Sequence, residues 1–367
     1  MSIGFLIFLK IFLRNKTGKL SNLFCRNLSH FTLIYVIIIL ITLIMRWIIY
    51  MQKNKGAEPV KKKITIGIPR AMLYYRYEVL WKNFFSILGA DCVISEPTNK
   101  EIIKSGTAAA IDEACLCTKI YLGHVKSLIG KCDYILIPRI SNFGIKRNMC
   151  TKFEALYDIA CNTFRKTSQK FLTYNVDVIE DCPEENAFIE MGIELGFSKK
   201  DAINAYKEAK KGETESLKNH LKANEGLYKK NGLKILIVAH SYVAMDSYIG
   251  KPVTDFLKKL GTVPIMADVV DRKDALKRSA KVSPTLKWEL SRELVGSIDE
   301  HIDKIDGMVL MSAFPCGPDS MVDEMIIRKF RGKPILNITL DDQDGTAGLE
   351  TRLESFVDIL RFKGGTL

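Results

Sequence analysis

Acidic residues are missing from the first fifty positions of this chain. That segment carries Lys10, Arg14, Lys16, Lys19, Arg26 and Arg46 and no Asp or Glu, so it holds half of the net charge of +12. The remaining 317 residues are only mildly basic, which argues against nucleic-acid binding, since that needs a dense positive surface. Proline is scarce, 11 in 367 residues against 24 glycines, which excludes a collagen-like or low-complexity chain. Nine cysteines are too few to staple a chain of this length with disulfides. Several motifs are missing as well. No G-x-x-x-x-G-K-[ST] occurs, which disfavours a P-loop ATPase, and no G-x-G-x-x-G follows the first strand pattern. There is no H-E-x-x-H, no G-x-S-x-G and no C-x-x-C, which disfavours zincin, serine-hydrolase, zinc-knuckle and thioredoxin-type chemistry.

What is present begins with a long apolar run. Phe31 to Met45 reads FTLIYVIIILITLIM, and Trp47 to Tyr50 extends it past Arg46. Residues 31–51 are about long enough to cross a bilayer, with Trp47 and Tyr50 suited to its interface. Two readings stand side by side: an N-terminal transmembrane helix, or a leader outside the working protein, with translation starting at Met51. The matching locations are a cytoplasmic protein, or a membrane-anchored one with its α/β body in the cytoplasm.

From Ile64 onward, short apolar runs alternate with amphipathic stretches. Ile64–Ile68, Val93–Ile94, Tyr134–Ile137 and Phe171–Tyr174 read as strands. Between them, Tyr75–Leu88, Lys119–Ile129 and Lys152–Phe164 show helical spacing. Residues 184–230 are rich in Lys, Glu and Ala and read as two helices with no strand. Leu233–Ala239, Val263–Met266, Gly307–Met311 and Ile335–Leu340 form a second set of strands, and Ala347–Leu360 is the closing helix. Strand–helix alternation marks parallel sheets covered on both faces. The expected fold class is therefore α/β: two Rossmann-like lobes with parallel sheets joined by a helical segment, plus the candidate N-terminal transmembrane helix. The expected boundaries are a leader over 1–60, a first lobe over 61–183, a helical connector over 184–230 and a second lobe over 231–367.

The cysteines divide by context. Cys115 (in EACLCTK), Cys150 (in NMCTKFEAL) and Cys316 (in AFPCGPDS) each fall in a loop just before a predicted helix. A helix N-terminus offers free N–H groups and partial positive charge, which favour thiolate and suit a metal or iron–sulfur centre. The bland alternative, small buried hydrophobes, suits Cys161 on its helical stripe and Cys92 and Cys132 beside strands. Cys117 sits next to Cys115, Cys182 lies in a polar loop, and Cys25 is in the leader. His240, Tyr242 and Asp246 follow the strand Leu233–Ala239, at the strand end where parallel sheets bind ligands. Asp341, Asp342, Gln343 and Asp344 also follow a strand, where capping of the next helix is the simpler role. Arg70 with Tyr74, Tyr75 and Arg76 is a candidate phosphate contact. His124 is expected to be an ordinary packed or surface residue.

Several segments together carry a resemblance. IGIPRAMLYYRYEVLWKNFF, PTNKEII, DEACLCTKIYLGHV, DYILIPRI, CTKFEALYDI, FPCGPDS and ITLDDQDGTAGLETRLESFVDIL resemble the acyl-CoA dehydratase/activase-related proteins. These are relatives of 2-hydroxyacyl-CoA dehydratase subunits and double-cubane cluster reductases. The resemblance runs from about Ile64 to the C-terminus and leaves residues 1–60 outside it. It implies a cluster of the 4Fe-4S type, or larger, in the cleft between two lobes, with Cys115, Cys150 and Cys316 as its ligands. It implies one-electron chemistry on an acyl-CoA, with a separate ATP-dependent activator as electron donor, and a homo- or heterodimer. Cys117 stands where family members usually carry Pro, and Gln343 where relatives often have His.

Overall fold

The computed structural model describes residues 38–39, 41–49, 63–342 and 346–363. The chain divides into two compact units, Met1–Lys62 and Lys63–Leu367. In the first, residues 41–49 are helical and exposed. No helix among the described residues is long and apolar enough to cross a membrane, and the rest of the 31–51 run lies outside them.

The second unit is mixed α/β and built on parallel sheets. Its first half runs β1 (Thr65–Ile68), α1 (Tyr74–Ile87), β2 (Asp91–Ile94), α2 (Lys100–Thr107), α3 (Leu116–Leu128), β3 (Tyr134–Leu136), β4 (Arg139–Asn142), α4 (Thr151–Thr163), β5 (Lys170–Leu172) and β6 (Asn175–Asp177). Two helices follow, α5 (Glu184–Glu194) and α6 (Lys199–Gly226). The second half runs β7 (Lys234–Val238), α7 (Ser241–Ala244), α8 (Lys251–Lys259), β8 (Val263–Met266), α9 (Arg272–Val282), α10 (Glu289–His301), β9 (Gly307–Ala313), α11 (Gly317–Lys329), β10 (Ile335–Leu340) and α12 (Thr346–Lys363).

The two main sheets share one strand order. The first is β2-β1-β3-β5 and the second, read from its other edge, is β8-β7-β9-β10, and every pairing is parallel. Each sheet therefore reverses its winding between its two central strands, which leaves a crevice at their carboxyl ends. No residue repeat marks the duplication, which lies in strand order alone. The small sheet β4-β6, which carries β3 and β5 onward past Pro138 and Thr173, and the short helix α2 are not among the elements expected from the sequence.

The strands are apolar because both faces are covered. Residues of β9 are buried along its whole length. One hydrophobic core includes Ile66 and Ile68 of β1, Ile135 of β3, Ile237 of β7 and Val309 of β9, so the two sheets share it. A smaller core lies around Leu236, Ile265, Leu310 and Ile298. On α1, Leu80, Trp81, Phe84 and Phe85 repeat at helical spacing and are all buried. The 28-residue α6 packs along α1, and a helix of that length spans about 42 Å. Helices α2 and α3 touch backbone to backbone. A Cβ on Gly106 would stand 1.9 Å from the Lys119 carbonyl oxygen, and one on Gly123 would stand 2.1 Å from that of Ile102. Only glycine allows this approach.

Candidate functional site

Cys115, Cys150 and Cys316 each occupy the N-cap position of a helix: α3, α4 and α11. The strand order explains their positions. Helices α4 and α11 connect the third and fourth strands of their sheets, so Cys150 and Cys316 hold equivalent places. Helix α3 precedes the third strand of the first sheet, and its counterpart is α10, whose N-cap is Trp288. All four residues line one cavity, together with Cys117.

Backbone hydrogen bonds tie these loops across the two halves. Leu116 N donates to Phe314 O at 2.8 Å, joining the Cys115 loop to the Cys316 loop. Asn148 N donates to Lys287 O at 3.0 Å and Glu289 N to Asn148 O at 2.8 Å, joining the Cys150 loop to the start of α10. Arg147 reinforces the second seam with an ion pair of 2.5 Å to Glu289, which is almost fully buried. The cavity walls are thus assembled from both halves of the chain.

The polar wall is His240, Tyr242 and Asp319. His240 is buried, its Nε2 lies 2.9 Å from Asp319 Oδ1, and its ring stacks on Tyr242 with centroids 5.0 Å apart. Burial opposes charge on both partners, yet their mutual attraction holds Asp319 below the usual carboxylate range and His240 above the usual imidazole range. The cysteines answer differently. Burial pushes the Cys150 and Cys316 thiols up, with Asp319 and Cys115 adding repulsion. Backbone N–H groups of Lys152 and Asp319 offset this only in part. Burial raises Cys117 well above the thiol range too, with Cys115 and Cys316 contributing. At Cys150 and Cys316 desolvation thus outweighs the N–H groups of the helix ends, and burial favours the thiol over the thiolate expected there.

Among the described residues no group of three His, Cys, Asp or Glu side chains could hold a single metal ion. The space between the cysteines is tight, about 40 Å³. It suits a compact inorganic group, and an acyl chain does not fit it. A single ion needs its ligands about 2 Å from one point. An iron–sulfur cluster offers separate irons to separate thiolates. The thiols of Cys115, Cys150 and Cys316, each from a separate helix end, are the donor type that an iron–sulfur cluster takes.

The other sequence candidates resolve as follows. Asp246 does not face the cavity: it accepts from Thr98 Oγ1 and from the backbone N–H groups of Tyr248 and Ile249. Arg76 is no phosphate contact, because Glu293 takes both of its terminal nitrogens at 2.6 and 2.9 Å. Arg70 lies over the Tyr74 ring at 5.8 Å. Asp342 reaches Thr107 at 3.3 Å and Lys119 at 3.7 Å, bracing the α2–α3 pair. Gln343, Asp344 and Cys25 lie outside the described residues. Cys161 is half-buried, not core, and Cys182 donates to Asn175 O. Cys92 and Cys132 pack against the core as expected. Sequence reasoning missed Trp288, Asn148 and Lys152 as wall residues. The start of α10 would have pointed to Trp288 had the duplicated strand order been visible.

None of the curated proteins compared matches this chain. Among solved structures, "Structure of the SBP FpvC from pseudomonas aeruginosa in complex with Mn2+" aligns over 82% of this chain and 98% of its own, at 12% identity and a TM-score of 0.26. "Crystal structure of ZnuA" aligns over 82% and 98%, at 8% identity and a TM-score of 0.24. Neither superimposes closely enough to bear on function. The family comparison is firmer, since the model of the CoA enzyme activase uncharacterised domain (DUF2229) matches residues 65–270, more than half of the chain, and the chain therefore belongs to that family.

Proposed function

We propose that this protein carries an iron–sulfur cluster, of the 4Fe-4S type or larger, on Cys115, Cys150 and Cys316. In this reading it serves one-electron reductive chemistry on an acyl-CoA thioester, as in 2-hydroxyacyl-CoA dehydratase components, with a separate ATP-dependent activator as electron donor. The observation that carries the reading is the convergence of three N-cap cysteines, drawn from both sheets, on one tight cavity. Membership of a CoA enzyme activase family supports the acyl-CoA and activator parts, and the missing P-loop motif accords with a separate protein as the ATP-dependent activator. The division into a leader, two lobes and a connector belongs to the same reading, as does work in a dimer.

When bound, such a cluster supplies one-electron transfer at low potential, set by its burial and by hydrogen bonds to its sulfurs. The chain's own residues do the rest. Three thiols give up protons on binding it and hold it from three helix ends. Trp288, Met72 and Met149 line the cavity with apolar surface and exclude water. The His240–Asp319 pair keeps a buried proton beside the sulfurs. Cys117, buried on α3, stands as a fourth sulfur in the same wall.

A second reading is a cluster-carrying electron-transfer or maturation partner without a substrate of its own. It is favoured by the tightness of the cavity, which does not admit an acyl chain. Anaerobic iron and sulfide analysis tests the shared premise: about four irons per chain are expected. Cys115→Ser, Cys150→Ser and Cys316→Ser should each lose most of that iron. Iron-free protein prepared without air, or iron content indifferent to all three substitutions, would overturn both readings. Thermal unfolding with CoA esters then separates them, because a ligand specific for the native state raises the melting temperature.

A further inference from the structure

Cys117 has no task in a site with three ligands, yet the fold sets it among them. It is the second residue of α3 and only 6% exposed. It lines the same cavity as Cys115, Cys150 and Cys316. Helical residues two apart do not face each other. Cys115, however, is the N-cap, with φ −62° and ψ 151°, and so stands outside the helical phase. Both cysteines can therefore border one cavity. The residue between them is fixed as well: Leu116 N donates to Phe314 O at 2.8 Å, which holds the start of α3 against the Cys316 loop.

The plain alternative is a thiol that fills core space as a small apolar group. Cys132 shows that role: it packs on the core away from the cavity, and its Sγ donates to Leu128 O at 3.6 Å. Cys117 also touches the core, but it borders the cavity too, and its Sγ has no hydrogen-bond partner among the described residues. Other donors in the wall are committed. His240 Nε2 and Asp319 Oδ1 hold each other at 2.9 Å, and Cys115 Sγ already lies 3.2 Å from Thr118 Oγ1. Cys117 is the thiol of this wall that the three-ligand site leaves over.

We infer, resting on the cluster reading above, that Cys117 is the fourth ligand of a four-iron cluster. On binding, the Sγ–H bond of Cys117 breaks, an Sγ–Fe bond forms and the proton is released, as at the other three thiols. Three cysteines leave one iron of such a cluster open to water or to a substrate oxygen, and a fourth closes it. A closed cluster passes electrons and takes no substrate. Cys117 therefore decides between the two readings, in favour of a cluster-carrying electron-transfer protein.

The test is iron analysis and EPR of the full chain, loaded without air and then oxidised with a small excess of ferricyanide. Oxidation releases an iron that no cysteine holds and leaves a three-iron cluster with its own EPR signal. Wild type should keep about four irons per chain and show little of that signal. Cys117→Ala and Cys117→Val should each end with at least about one iron fewer and show the signal strongly, the valine keeping the thiol's space filled. Cys132→Ala, outside the cavity, should behave as wild type. Wild type that sheds iron as readily as the Cys117 variants, or variants that keep all their iron, would remove Cys117 as a ligand and leave the cluster reading standing. Iron-free wild type, or iron content indifferent to Cys115→Ser, Cys150→Ser and Cys316→Ser, would overturn the cluster reading and the role of Cys117 with it.

Discussion

His124 is fully buried on α3, with Nδ1 2.8 Å from Ser95 Oγ and Nε2 2.9 Å from Thr98 Oγ1. Burial, with a contribution from Arg70, lowers its pKa to about 3. The unfolded chain binds this proton near pH 6.5, so the unfolded state holds more protons between the two values. Stability from His124 is therefore complete above pH 6.5 and is lost as pH falls toward 3. Between pH 7 and pH 5 the loss should be about 2 kcal/mol. His124→Gln should flatten that part of the profile, and urea midpoints of both proteins at the two pH values check it. An equal pH 7-to-5 loss in His124→Gln would remove His124 as the cause. This role is not legible in the sequence, because Ser95 and Thr98 come from a loop whose fold brings them to α3. Cys115, Cys150 and Cys316 were legible for the opposite reason. Their helix starts are local features, written in the residues beside them.

At the level of elements, apolar runs and helical spacing marked eight strands and four helices to within a few residues. Helix α2 escaped because its eight residues lack a sustained periodic pattern, and β4 and β6 because each holds only three or four residues. The α2–α3 crossing is where backbone geometry matters most to the site, because α3 begins at Cys115. Gly123→Ala would set a methyl group against the Ile102 carbonyl, forcing the helices apart. Overpacking of this kind costs about 1–3 kcal/mol or more. Chemical denaturation should show that loss, and anaerobic iron content should fall with it as Cys115 is displaced. Unchanged stability in Gly123→Ala would mean that the helices can separate freely.

For the molecule as a whole, the shared core and the stitched loops make the two halves of the α/β body one cooperative structure. Arg76 of α1 and Glu293 of α10 form a buried ion pair across the same boundary. Breaking such a pair strands a charge and is strongly destabilising. Calorimetry of the body should therefore show one unfolding transition, with calorimetric and van't Hoff enthalpies in agreement. Two resolved transitions would show that the sheets unfold separately. The division of the site between two halves also has a consequence for biosynthesis. Cys150 leaves the ribosome about 170 residues before Cys316, and Cys115 earlier still, which is roughly 10–30 s of translation at 5–20 residues per second. During that interval the nascent chain exposes two thiols whose third companion does not yet exist. Whatever binds all three thiols must be delivered after Cys316 has emerged, so loading cannot be completed on the first half of the α/β body alone.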